Sequence, residues 1–255
     1  MTRSSETTDI LAGWTRGSFS AAGFTRDTYR RGSGPGVVVI HEVPGITPRV
    51  TQFANELVAA GFTVIMPSLL GEPGKPVSPG YIAAGLAKVC IANEFTSWAQ
   101  GRTSPIVAFL RALARALHDE LGGPGVGAIG MCFSGGFALA MMVDDIVIAP
   151  VLSQPSLPFA FGKRARRADL NLSPEDAQIV ARRAAAGCQV LGLRFTGDRL
   201  VGDRFTSLRE LLGDAFLAVE LPSTSFRDHS VITEQRHEPS VRRVLDFFIE
   251  KLQPG

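Results

Sequence analysis

The chain has 255 residues, 45% apolar and 20% charged, enough for one sizeable domain with its own core, and its 26 Lys and Arg against 24 Asp and Glu leave a net charge of +2. That balance offers no concentrated positive face and argues against nucleic-acid binding; three cysteines make no disulfide framework, and no apolar run is long enough to cross a bilayer. The opening MTRSSETTDILAGWTRGSFS lacks the apolar core of a signal peptide, so the expected setting is cytoplasmic and reducing, away from membranes.

Residues 1–23 read as a partly ordered N-terminal extension and 24–255 as a single domain. Phe24 to Arg31 suits a strand, ended by GSGPG. VVVI (37–40) is a short β-branched run, as in a buried strand. TPRVTQFANELVAAG follows as a helix, capped by Thr47, opened by Pro48 and ended by Gly61, with Phe53, Ala54, Leu57 and Val58 on one face. FTVIMP is the next strand. Residues 70–80 are rich in Gly and Pro and read as loop, and 81–103 hold one or two short helices whose limits the pattern leaves open. Ser104-Pro105 opens a helix with Ile106, Phe109, Leu110, Leu113 and Leu117 on its apolar face. VGAIG is a strand, FSGGFALAMM starts a helix, and IVIAPV is a strand. Lys163, Arg164, Arg166 and Arg167 form either a solvated basic surface or an anion patch. Ser173 to Asp176 start a helix that Gly187 ends. QVLGLRF, a helix over 205–212, AFLAVE and a terminal helix from Ser240 complete the chain. This alternation predicts an α/β fold, a mostly parallel central sheet with helices on both faces.

In such sheets reactive groups collect beyond the carboxyl ends of strands, where Glu42, Cys132, Asp198 and His229 fall. Cys132 lies in GAIGMCFSGG (127–136), between a strand and a helix. Gly130 and Ser134, two residues to either side, are small, as a tight strand-to-helix turn requires. The turn lifts the side chain above the sheet and starts a helix whose unpaired N–H groups favour negative charge. Asp198 follows a strand in FTGDRLVG, and His229 lies in the loop before the last helix. Singly, each reads as well as a turn or surface residue. Together, the chain order Cys, Asp, His is the nucleophile–acid–histidine order of α/β hydrolases. Asp198 would then set the imidazole tautomer and His229 exchange a proton with Cys132. Cys90 and Cys188 lack this context, and Cys188 reads as packing.

At these residues the chain resembles the dienelactone hydrolases (carboxymethylenebutenolidases), from about Gly36 to the terminal helix. GMCFSGG matches the family's Gly-x-Cys-x-Gly-Gly, with Ser134 in place of a glycine. GDRLV supplies the acid at Asp198, DHS the histidine at His229 followed by Ser230, and VVVIHEVPGI the glutamate after the first core strand, Glu42. The resemblance implies the α/β-hydrolase fold and cleavage of a lactone or small ester through a thioester on Cys132. It implies the backbone N–H groups of Phe133 and Val43 as oxyanion hole, Glu42 holding the thiol at rest, and no metal or other cofactor. A substrate of this family carries a carboxylate, so an anionic small molecule is expected; yet Thr233 stands where the family tends to carry an arginine. Lys88 is the nearest cation in KVCIANEFTSW, with Arg49 and Arg166 as others. Phe95 and Trp98 line a pocket or pack in the core, and Ser230 and Thr233 complete the candidate pocket. The alternatives are a general carboxylesterase or thioesterase at the same site and, more distantly, a non-catalytic hydrolase-like binding protein. Monomer and homodimer are both compatible with the sequence.

Overall fold

Residues 10–95, 101–156 and 164–253 are described by the computed structural model; Trp98 and Lys163 lie outside them. Among the described residues there are eight strands: β1 Thr15–Ala21, β2 Phe24–Arg31, β3 Gly36–Ile40, β4 Thr63–Pro67, β5 Val126–Met131, β6 Val147–Ser153, β7 Val190–Phe195 and β8 Phe216–Leu221. They form one sheet in the order β1-β2-β4-β3-β5-β6-β7-β8. β1 pairs antiparallel with β2, and β2 with β4. From β4 across to β8 all pairings are parallel. This is the α/β-hydrolase architecture.

The helices are α1 Pro48–Ala59, α2 Pro79–Ile91, α3 Ile106–Leu121, α4 Gly135–Met141, α5 Arg164–Ala168, α6 Pro174–Ala185, α7 Arg204–Leu212 and α8 Glu238–Leu252. Their starts follow the capping chemistry: Thr47 and Ser173 accept from the N–H groups of Val50 and Asp176, each with a proline next in line. The period-2 alternation of β3 divides two cores. Val37 and Val39 face α1 and α8, with Phe53, Phe247 and Phe248 buried there. Val38 and Ile40 face the other layer, built on α3, α4, α6 and α7. Each fully buried Phe or Leu contributes about 2 kcal/mol through area removed from water.

Three elements differ from the expectation. Residues 15–21, placed in an N-terminal extension, pair along their length with β2 as the sheet edge. TRGSFSA is largely exposed, so it lacks the apolar alternation that marks a half-buried strand. α2 fills part of the unassigned 81–103 segment; only Gly85 and Val89 are buried, although its sequence is apolar all round. α8 begins at Glu238 rather than Ser240, because the His237 ring caps it by accepting from the Ser240 N–H. Among the described residues no helix is long and apolar enough to cross a membrane.

Candidate active site

The carboxyl ends of β3, β5, β7 and β8 bring Glu42, Cys132, Asp198 and His229 to one edge of the sheet. Cys132 follows β5 directly at φ +55, a left-handed conformation that costs a residue with a Cβ about 1–2 kcal/mol. The turn closes only because its flanks are small. A Cβ on Gly130 would stand 2.0 Å from the Ser134 carbonyl oxygen, and one on Gly135 2.7 Å from Pro155 Cα.

Ser134 does more than fit in place of a glycine. Its hydroxyl is fully buried and accepts from the Met131 N–H at 2.8 Å. It lies 3.0 Å from the Ile40 carbonyl, 3.1 Å from that of His41 and 2.9 Å from that of Met131. Its single proton goes to one of these at a time, tying the elbow to the end of β3. Beneath the elbow, the Phe133 ring stands edge-on to Phe95 at 5.5 Å and to Phe137 at 5.6 Å. Phe95 is 1% exposed and belongs to this packing.

Asp198 and His229 meet as expected. Asp198 Oδ2 lies 2.6 Å from His229 Nδ1, and its Oδ1 accepts from the Leu200 N–H at 3.0 Å. Nε2 of His229 is buried and has no partner at hydrogen-bonding geometry, although the Cys132 sulfur is near enough for its charge to act. Burial opposes a charged ring here. The Cys132 sulfur and then the Asp198 carboxylate outweigh it, so the His229 pKa lies well above the ordinary histidine value. Among the described residues neither the Phe133 N–H nor the Val43 N–H donates to another group.

Glu42 is 3% exposed, and its carboxylate accepts from Ser230 Oγ at 2.8 Å, from Gln154 Nε2 at 3.2 Å and from Thr233 Oγ1. Ser230 and Thr233 tie the loop that carries His229 to Glu42, and Gln154, whose Oε1 accepts from the Val231 N–H, links that loop to the end of β6. The contact to the thiol expected of Glu42 comes instead from Ser156, whose Oγ donates to Cys132 Sγ at 3.2 Å while its N–H donates to the Cys132 carbonyl at 3.0 Å. Ser230 and Thr233, expected in a pocket, are thus engaged with Glu42. Lys88 is exposed on α2, away from the face that Gly85 and Val89 bury. Arg49 is exposed and donates to Gln52.

Four contributors were not singled out from the sequence. Ser156 and Gln154 follow β6, another strand end that the same rule would have flagged. Arg204, 2% exposed, donates to the carbonyls of Leu200, Val201 and Arg166 and so braces the loop after Asp198. Burial pushes its pKa down to about 10, opposed by Asp169 and Asp203, so it stays charged at neutral pH. His41 is wholly buried, and burial lowers its pKa to about 4 against an ordinary 6.5.

That difference has a sign. Between pH 6.5 and 4 the unfolded chain binds a proton at His41 that the folded chain refuses, so stability falls by roughly 3 kcal/mol on acidification through this window. His229 acts oppositely: its contribution is present below the unfolded value and lost as pH rises through its raised folded value. Melting temperature measured from pH 7 to 4 should therefore fall less steeply in His41→Asn than in the wild type; equal slopes would remove His41 as the source.

The family model described as "Dienelactone hydrolase family" matches residues 22–157, just over half of the chain and including the elbow. No curated protein sequence matches the chain. Among solved structures, a dienelactone hydrolase from Anabaena variabilis superposes with a TM-score of 0.63 at 16% identity, covering 94% of this chain and 98% of that one. A Pyrococcus furiosus esterase gives 0.61 at 13% identity, covering 96% and 95%. A cold-adapted esterase from an Arctic intertidal metagenomic library gives 0.57 at 18%, covering 93% of each. At such identities the structural likeness speaks for the fold, and the sequence match carries the family. The chain belongs to the dienelactone hydrolase family, and so to the enzymes that cleave carboxylic ester bonds.

Proposed function

We propose that the protein hydrolyses a lactone or small carboxylic ester through a thioester on Cys132. The observation that carries this reading is the part-buried Asp198–His229 pair, with the unpartnered Nε2 of His229 beside a cysteine on a left-handed elbow. Cys132 Sγ attacks the carbonyl carbon, and the N–H groups of Phe133 and Val43 receive the oxyanion. The C–O bond breaks, the leaving oxygen takes the proton of the His229 imidazolium, and the acyl group stays on sulfur. Acylation removes the sulfur's charge, the foremost influence raising the His229 pKa, so the neutral ring becomes available as a base. It then takes a proton from water, which attacks the thioester, and the thiolate leaves with the imidazolium restored.

General ester hydrolysis is the broader form of this reading. The esterases above resemble the chain as closely as the dienelactone hydrolase does, so small neutral esters are substrates to test beside lactones. A reducing, cytoplasmic setting belongs to the reading, in which Cys90, Cys132 and Cys188 form no disulfide. A short-chain p-nitrophenyl ester, quenched in acid within the first turnover, should add one acyl mass to the peptide containing Cys132. A burst of p-nitrophenol with no acyl mass on that peptide would overturn the thioester.

A further inference from the structure

His41 lies buried between the end of β3 and the segment after β4, and the reaction above makes no use of it. Its ring contacts both. Nε2 is 3.0 Å from the Leu69 nitrogen and 3.4 Å from that of Leu70, while Nδ1 is 2.8 Å from the Glu42 carbonyl oxygen. Peptide N–H groups only donate, so Nε2 is the acceptor, and the ring's hydrogen sits on Nδ1 and is donated to the carbonyl. In a trans peptide the carbonyl and the following N–H point in opposite directions. Holding the Glu42 carbonyl therefore aims the Val43 N–H away from His41, where it meets no acceptor among the described residues.

The same residue reaches the other oxyanion donor. Its own carbonyl lies 3.1 Å from the Ser134 hydroxyl of the elbow, and its ring centre is 6.3 Å from that of Phe133. We propose that His41 is a positioning residue of the oxyanion hole, whose Nδ1–H fixes the Glu42–Val43 peptide so that the Val43 N–H faces the reacting carbonyl at Cys132. The inference rests on the ester-hydrolysis reading above. A donor fixed beforehand needs no reorganisation when charge develops, and losing such a donor costs about 10²–10³ in kcat.

Two substitutions separate the ring's two contacts. Asn places an amide N–H near the Nδ1 position and loses the bridge to Leu69 and Leu70; Gln extends an acceptor towards the Nε2 position and loses the Nδ1 donor. With a p-nitrophenyl ester, His41→Gln should lose about 10²-fold or more in kcat with KM near wild type, and His41→Asn should recover most of that loss even where its melting temperature is lower. Alkylation of Cys132 by iodoacetamide, which forms no oxyanion, should stay within about twofold of wild type in both. A wild-type kcat in His41→Gln, or kcat and alkylation falling together with melting temperature in both variants, would overturn the proposal. If Cys132→Ala kept its ester hydrolysis, the reading beneath it would fail instead, whatever the His41 variants did.

Discussion

Cys132→Ala should lower kcat/KM for small esters by about 10⁴-fold or more while the protein stays folded. No neighbouring hydroxyl is placed to take over. Ser134 Oγ is fully buried and committed to the Met131 N–H and a carbonyl, and Ser156 Oγ is a buried donor to the sulfur itself. What remains is slow attack by water beside the two free N–H groups. The elbow's conformation supplies an independent check. Alanine keeps a Cβ at φ +55, whereas glycine adopts that angle freely, so Cys132→Gly should be equally inactive yet more stable than Cys132→Ala by about 1 kcal/mol. Progress curves and thermal melts on the three proteins measure both effects. Ester hydrolysis surviving in both variants would place the nucleophile elsewhere; equal melting temperatures would mean that the turn stores no strain.

The features legible in the sequence were those set by local pattern. Short apolar runs between turn residues marked β3 to β8, and strand ends in chain order marked Cys132, Asp198 and His229 as candidates. β1 escaped because only Phe19 and Ala21 of this edge strand pack against the core, too few apolar positions for a period, and α2 because a helix apolar all round does not say which face it buries. The partners of Glu42 escaped for a different reason. Ser230 lies 188 residues away in sequence, Thr233 191 and Gln154 112, and each meets the carboxylate only where separate loops converge above the sheet. Glu42 was visible as a strand-end acid, but its grip on the histidine loop was not, nor was the transfer of the thiol contact to Ser156. His41, next to Glu42 in sequence, looked like one of four histidines until its two nitrogens were seen to join separate segments.

Asp198→Asn should reduce kcat by about 10⁴-fold with little change in fold, because the surroundings dictate how the amide turns. In the wild type Oδ1 accepts from the Leu200 N–H and Oδ2 pairs with His229 Nδ1. An asparagine that keeps the first contact must point its NH₂ at Nδ1. That favours the tautomer with hydrogen on Nε2, the nitrogen beside Cys132, which then cannot accept a proton from water. Arg204, gripping the carbonyls of Leu200 and Val201, keeps the loop from relaxing to relieve this. The lost carboxylate also lowers the His229 pKa, so the alkaline limb of acylation, where the imidazolium is discharged, should move to lower pH. The two steps should not suffer equally. Leaving-group departure with p-nitrophenol needs little proton donation, whereas deacylation needs the ring as a base after the sulfur's charge has gone. Acyl-enzyme should therefore accumulate in Asp198→Asn and be visible by intact mass at steady state. A loss of only a few-fold, with no accumulation and an unmoved pH profile, would make the 2.6 Å contact a structural one.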